Sequence, residues 1–517
     1  MPMQKLAFQP GINREGTRYS AEGGWFDCDK IRFRQGFPEK IGGWTKASTN
    51  TYLGTVRKLH DFVSLASLDL LFLGSEKKIY IEDSGTFSDI TPIRVTRTLG
   101  ANPITSADTT GTITVTDSSG HGAIVGDYVT FSGATAVGGI TAAQINTEHA
   151  VVSIPTANTF TVLTAGTATS TVAGGGSSVV AAYQINVGLN TSVLGPGWGA
   201  GTWGRFTWGS SAGALAGNTL RLWFADTFGE DLICNIADGT IYYWDTSAGV
   251  STRAVALTSL TGASDVPTVC RKILVSEADR HVLAFGANTL GSADQDPLLI
   301  RWSDQGSVVD WTPTATNTSG DQRISSGSEI ITATRARQEF LIWTDSDIHA
   351  MRFVGTPFTF GFELMASNVS IISPRAVINA KDAVFWMDNE NFYVFSGRID
   401  ILPCTVLRYV FEDINLDQRF KFFAASNRLF SEIFWFYVSG DASEIDRYVK
   451  FNYEENAWDI GELSRTAWVD ADVHTKPRGA SSNTIYVHET GNNNDESAMT
   501  SFIESSDFDL GEGDRFM

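Results

Sequence analysis

Three short stretches carry the residue types that hydrolysis or metal chemistry needs. Gly209-Ser210-Ser211-Ala212-Gly213 has the letters of a nucleophile elbow, with Ser211 in the serine position. An elbow needs a buried strand before it and a helix after it, so that the serine sits on a strained turn over an oxyanion hole. A Gly-, Ala- and Ser-rich loop follows instead, and loop composition explains the letters. His488-Glu489-Thr490-Gly491-Asn492 begins like a zinc-protease helix, but Asn492 stands where the second imidazole must be, and Thr490-Gly491 is poor helix. Glu454-Glu455 and the Asp470, Asp472 pair are carboxylates of the kind glycosidases use; in a chain with 58 acidic residues, solvated loops are the default for such pairs. The histidines His60, His121, His149, His281, His349 and His474 are scattered singly, as packed or solvated rings are. No Gly-rich loop followed by Lys is present to cradle a phosphate. The expectation is no catalytic residue, no cofactor and no metal.

Binding is the other chemistry. Arg32, Arg34 and Lys40 lie close together, with Arg32 and Arg34 alternating along a strand-like run. They are the candidate contacts to DNA or to a protein partner, against the plainer reading of a solvated strand face. Three cations give only a weak electrostatic attraction to phosphates. The formal net charge of −20 argues against a nucleic-acid surface built on wholesale phosphate neutralisation. The charge is uneven: residues 1–100 are slightly basic, no Lys or Arg occurs between Arg97 and Arg205, and the remainder is strongly acidic.

The elements that must position these residues are strands. A chain of 517 residues with 49 glycines and only 14 prolines, rich in Thr, Ser, Val and Trp, suits an all-β architecture with many tight turns. Between Asp296 and Gly355 the pattern is stated twice. Pro297 to Trp302 is an apolar run, Ser303 to Gly306 a turn, and Val308 to Trp311 an answering strand; Glu339 to Trp343, Thr344 to Asp347 and Ile348 to Val354 repeat the design. The same grammar recurs at Leu68 to Glu82, Leu220 to Asp245, Ala383 to Phe395, Glu432 to Trp458 and from Thr484 to His488, which begins a last unit. Units spaced by tens of residues, each closed by an aromatic and a polar turn, predict a β-propeller-like body of uncertain blade number.

Residues 96–186 differ in composition. Thr112 to Thr116, Asp127 to Ser132, Ala150 to Ile154 and Thr159 to Val162 are short strands that predict a small β-barrel or sandwich inserted into the propeller. This gives three parts: 1–95 with the first propeller strands, the insert at 96–186, and the rest of the body at 187–517. Val406, Tyr409, Val410 and Ile414, with Phe420 and Phe423 beyond, are spaced for one or two short helices. Cys28, Cys234, Cys270 and Cys404 have no paired spacing and predict buried free thiols. No apolar segment approaches 18 residues, and Met1 to Gly11 has no signal-peptide pattern, so no membrane segment is expected.

The run from Trp25 to Trp44, containing Ile31-Arg32-Phe33-Arg34-Gln35-Gly36-Phe37-Pro38-Glu39-Lys40-Ile41-Gly42-Gly43, closely resembles the N-terminal signature of tail-nozzle, or packaged-DNA stabilisation, proteins of short-tailed bacteriophages. Arg301-Trp302-Ser303-Asp304, Trp311-Thr312-Pro313, Trp343-Thr344-Asp345 and Glu504-Ser505-Ser506-Asp507-Phe508 follow in the shared order. Ser303-Asp304-Gln305-Gly306 with Trp311 also resembles the turn brace of sialidase-type propellers, a structural motif. The insert resembles a module that recurs in phage tail proteins.

The nozzle resemblance implies a virion structural protein, not an enzyme. It implies a homo-oligomeric ring, favoured as a hexamer, that contacts a portal-side adaptor and other tail proteins, is assembled in the host cytoplasm, and lets double-stranded DNA pass. It also implies a natural chain that continues beyond Met517. With the charge pattern, it places the acidic body toward the duplex and Arg32, Arg34 and Lys40 at the adaptor. The alternative is a carbohydrate-binding or carbohydrate-active propeller at a tail tip.

Overall fold

Apolar strands separated by tight polar turns build six four-stranded antiparallel sheets and one six-stranded sheet, the seven blades of a β-propeller. The computed structural model describes residues 8–19, 21–191 and 220–507. Blades 1 to 6 are drawn from residues 56–89, 223–256, 272–323, 330–367, 377–401 and 423–462, and blade 7 from 467–488 completed by Trp44–Lys46. Their innermost strands, Val56–Val63, Trp223–Phe228, Lys272–Ser276, Ile330–Arg335, Val377–Ala380, Phe423–Asn427 and Ala467–Val469, neighbour one another in that order, and the last returns to the first.

The second strand of a blade is covered by other blades on both faces, which is why it is apolar throughout instead of alternating. Every residue of Phe340–Thr344 and of Glu432–Tyr437 is buried. Adjacent blades pack through large rings: Trp343 meets Trp386 edge-on at 5.4 Å. Gly74 is required where blade 1 meets blade 2, since a Cβ there would lie 2.8 Å from Trp223.

The N-terminal run closes the ring. Ile31–Arg34 and Phe37–Lys40 form a hairpin whose two-residue loop, Gln35-Gly36, has positive φ at both positions (52° and 79°), the backbone a tight hairpin demands. Glu455 accepts hydrogen bonds from the Gln35 and Gly36 amides at 2.7 and 3.2 Å. Trp25–Asp29 pairs with Phe502–Ser505, and Trp44–Lys46 adds to Thr484–His488.

Two expectations are corrected. Thr484–His488 does not begin a last unit; it is the third strand of blade 7, and the fourth comes from the N-terminal run. Val308 to Trp311 is not the strand that answers Leu299–Trp302, whose partner is Gly320–Arg323. Trp311 is buried, its Nε1 donates to the Val308 carbonyl at 2.9 Å, and Asp304 accepts from the Thr318 amide and hydroxyl at 2.8 Å, so the intervening segment folds back as a brace.

Residues 93–184 form an eight-stranded sheet whose own core includes Ile113, Val115, Phe131, Phe160 and Tyr183. Its first and last strands, Ile93–Thr98 and Val180–Gln184, pair antiparallel, so the chain leaves and rejoins the propeller at neighbouring points. Lys78 of blade 1 ties the sheet down through Glu148. A short α-helix, Leu407–Phe411, and a 3-10 helix, Leu416–Lys421, lie between blades 5 and 6.

Candidate functional site

Seven innermost strands running around one axis leave a central cavity of about 670 Å³, within the range of small-ligand sites. Residues from all seven blades line it, and its chemistry is unlike that of the chain as a whole. Arg57, Lys381 and Arg428 on its wall are paired with Glu444, Glu454 and Asp470, which leaves Lys58, Lys272, Arg335 and Arg375 facing Asp226 and Asp382, a cationic centre in a chain of net charge −20.

Five side chains and one carboxylate form its heart. Arg335 pairs with Asp226 and donates from Nε to the Val275 carbonyl at 2.8 Å. Burial raises the Asp226 carboxyl, but Arg335 beside it outweighs burial and holds it below the ordinary carboxylate range. Asp226 Oδ2 also accepts from the Val275 amide at 2.7 Å and its Oδ1 from the Thr227 amide at 3.0 Å, so both oxygens are committed. Lys272 donates to Thr332 Oγ1 at 3.0 Å and lies 5.0 Å from the centre of the Phe224 ring. Burial, with Lys58 beside it, pulls the Lys272 ammonium down to about 7.

Arg375 donates to the carbonyls of Lys421 at 2.7 Å, of Thr466 at 3.4 Å and of Arg57, but its Nε has no hydrogen-bond partner. Burial and then Arg57 bring it to about 9. The Lys58 ammonium, among the described residues, has neither a hydrogen-bond nor an ion-pair partner, and burial lowers its pKa. His60 Nε2 is also unpartnered, and burial followed by Lys58 holds that ring neutral down to about pH 3. The cavity thus offers donors in excess of acceptors.

The cations singled out from sequence go elsewhere. Arg32 is not a surface cation: it is 2% exposed, gives two bonds of 3.1 Å to Glu432, reaches Glu489 at 2.5 and 3.0 Å, and lies 3.5 Å over Phe430. It lies in the seam between blades 6 and 7, where the two carboxylates make burial of the charge possible. Arg34, two residues on, is exposed and 4.0 Å from Glu39. Lys40 donates to the Asn492 and Met499 carbonyls at 3.1 and 2.7 Å. The stripe is therefore divided between a buried pair, a solvated arginine and a tie to the C-terminal region.

The other motifs are also structural. His488 accepts from Arg465 Nε at 2.9 Å, whereas Glu489 turns to Arg32, so the two do not share a site. Glu454 pairs with Lys381 at 3.3 Å, and Asp470 accepts from Ser426 at 2.5 Å. Among the described residues no group of three His, Cys, Asp or Glu side chains is placed to hold a metal ion. The four thiols are free, and burial raises each. Ser211 lies outside the described residues.

Sequence reasoning missed the axial cations because they are spread over segments far apart in the chain. The available signal was a cation repeated inside apolar first strands, as in Val56-Arg57-Lys58-Leu59 and Arg271-Lys272-Ile273-Leu274.

No protein-family model and no curated protein matches the chain. Among solved structures it is similar to the phage phi92 endosialidase, at 11% identity over 78% of this chain and 56% of that one, with a TM-score of 0.21. It is also similar to Hsv2 of Kluyvelomyces marxianus, at 8% identity over 56% of this chain and 82% of that one, with a TM-score of 0.30. A third is the extracellular domain of the putative one component system BT4673 from B. thetaiotaomicron, at 9% identity over 86% of this chain and 39% of that one, with a TM-score of 0.28. At these identities and TM-scores they carry no argument about what the chain binds or does.

Proposed function

We propose that the chain is a structural protein of a short phage tail, copies of which form a ring that extends the DNA exit channel, retains packaged DNA and lets it pass on ejection. The observation that carries this reading is the seam. The Trp25 to Trp44 run and the run at Glu504 to Asp507, the two ends of the sequence resemblance, lie side by side, with Trp25 opposite Ser505, and Trp44–Lys46 completes the seventh blade. The signature serves to close the body, so the resemblance bears on the whole architecture and not on a detachable N-terminal module.

Charge supports the same reading. Lys58, Lys272 and Arg375 face the axial cavity without a carboxylate of their own, so the outer surface is more acidic than the net charge of −20 suggests. An acidic wall around a duplex repels it and keeps it centred over a screening length of about 8 Å at physiological salt. Phosphate-binding cations would instead add a counterion-release term to be undone at every step of DNA movement. With Arg32 withdrawn into the seam, the adaptor contact rests on Arg34 and its surroundings.

The carbohydrate-active alternative needs a carboxyl that can give up a proton beside a second carboxylate. In the axial cavity the carboxylates are Asp226 and Asp382, and Asp226 is held ionised by Arg335. Electron microscopy of the particle carrying this chain tests the proposal. A ring on the tail axis below the portal is expected, and a position off the axis would overturn it.

A further inference from the structure

We propose that the axial cavity is a binding site for a compact, doubly charged oxyanion of the phosphate class, held by the Lys58 and Lys272 ammonium groups with the guanidinium groups of Arg335 and Arg375 around it. This is independent of the tail assignment.

The imbalance of donors is the starting point. Of the cavity's inner groups, Asp226 alone carries negative charge, and its Oδ2 is taken by Arg335 and the Val275 amide and its Oδ1 by the Thr227 amide. That leaves the Lys58 ammonium, Arg375 Nε and His60 Nε2 without partners, and Lys272 bonded only to a neutral hydroxyl. Unpaired cations taken out of bulk water are costly, and several of like sign close together are more so. A fold that needed only to fill its axis would place apolar side chains there. Four cations converging on one small cavity from blades 1, 3 and 4 and from the segment that leads into blade 5 describe a site built for a counter-charge.

Charge and size select the ligand class. Lysine ammonium groups act as point charges toward phosphate-type oxygens, and guanidinium groups add directional donors. A monocarboxylate would leave more of the positive charge unmatched than a dianion does. A cavity of about 670 Å³ takes a small molecule and not a duplex, whose major groove alone is about 12 Å wide. Lys381 and Arg428 also line the cavity but are matched by Glu454 and by Asp470 and Asp472, so the unmatched positive charge lies with the inner groups.

Proton linkage gives a second signature. Lys272 faces Lys58, His60, Asp226, Arg335 and Arg375, and burial with this company brings it to about 7. A bound dianion favours the charged ammonium, so binding at pH 8.5 draws in a proton and binding at pH 6 does not.

The test uses the full chain and sodium sulfate, whose charge is constant over this range, with inorganic phosphate, glycerol phosphate and acetate beside it and sodium chloride at matched ionic strength as reference. Excluded-ion effects of sulfate raise the melting temperature of any protein, so the readout is the difference between wild type and Lys58→Gln/Lys272→Gln. The wild type is expected to gain an anion-specific rise in Tm and a calorimetric isotherm, with at least a tenfold loss of affinity in the double variant. In chloride the double variant should melt no lower than wild type, because removing two half-buried like charges from one cavity relieves repulsion. Lys272→Arg should keep binding, and calorimetry of the wild type in buffers of different ionisation enthalpy should show proton uptake at pH 8.5. Glycerol phosphate binding as tightly as phosphate would assign the site to the end of a larger phosphomonoester, and weaker binding would assign it to the free ion; both uphold the class. The proposal is overturned if no isotherm is found with sulfate or phosphate, if the double variant binds as wild type does, or if acetate binds as tightly as sulfate.

Discussion

Arg32 and Glu432, 400 residues apart in the chain, are joined by two hydrogen bonds of 3.1 Å with both side chains out of solvent. Glu432 is shared: Lys450 Nζ donates to it at 2.6 Å and Asn427 Nδ2 at 3.2 Å, while Glu489 takes the other edge of the guanidinium. The N-terminal hairpin, blade 6 and blade 7 therefore meet at one buried charge network, at the place where a single-chain ring must be fastened.

Removing one partner of such a network leaves the others buried and unpaired. Arg32→Ala should cost about 3–5 kcal/mol in stability, whereas Arg34→Ala, on the exposed face of the same strand, should stay within about 0.5 kcal/mol. Urea unfolding of the two variants checks this. Equal effects would mean that the buried pair does not fasten the seam.

Asp459 in the same network titrates out of its ordinary range. Burial raises its carboxyl to about 7 from 3.8, against the opposing field of Lys450. Between those values the folded chain holds a proton that the unfolded chain has released. Its contribution to stability is therefore full below pH 3.8 and is lost as pH rises toward 7, with a slope of up to about 1.4 kcal/mol per pH unit. Asp459→Asn should flatten the stability curve across that window; curves that run parallel for variant and wild type would count against it.

The eight-stranded sheet leaves and re-enters the body at Ile93 and Gln184, which are paired neighbours. Replacing residues 94–183 with a short Gly/Ser bridge should leave a cooperatively folded propeller, because the sheet has its own core and its Glu148 reaches the body through ion pairs with Lys78 of blade 1 and Arg253 of blade 2. Loss of the cooperative transition would show that the sheet belongs to the main core.

The fold class was legible because strand runs and turns speak locally: Glu432–Tyr437 and Thr484–His488 are bounded in the structure as the apolar runs are in the sequence. The blade number was not, since the seventh blade is assembled from two ends of the chain, and Trp44-Thr45-Lys46 bears no local mark of its distant partner. Val308 to Trp311 misled because an aromatic after an apolar pair reads as a strand whether its ring packs from a ladder or from a folded-back loop. The axial site was illegible for a related reason. Lys58, Lys272, Arg335 and Arg375 lie in four segments far apart in the chain, and only the circular arrangement of blades brings them together.

That arrangement makes a definite statement about DNA. Binding to a duplex at physiological salt needs cations on an accessible convex or grooved surface, each neutralised phosphate adding its release of counterions. Here Arg32 and Lys450 are buried in pairs, Lys58, Lys272 and Arg375 face a cavity too small for a duplex, and Arg352 and Lys381 on the surface are each matched by a glutamate. The isolated protein should therefore show no retention of a 60-base-pair duplex in a gel-shift assay at about 0.15 M salt, although weak retention at about 0.01 M salt, where the screening length grows to about 30 Å, would remain compatible with local cationic spots such as Arg34. Tight, salt-resistant retention would overturn both the acidic-wall reading and the proposed role in letting DNA pass.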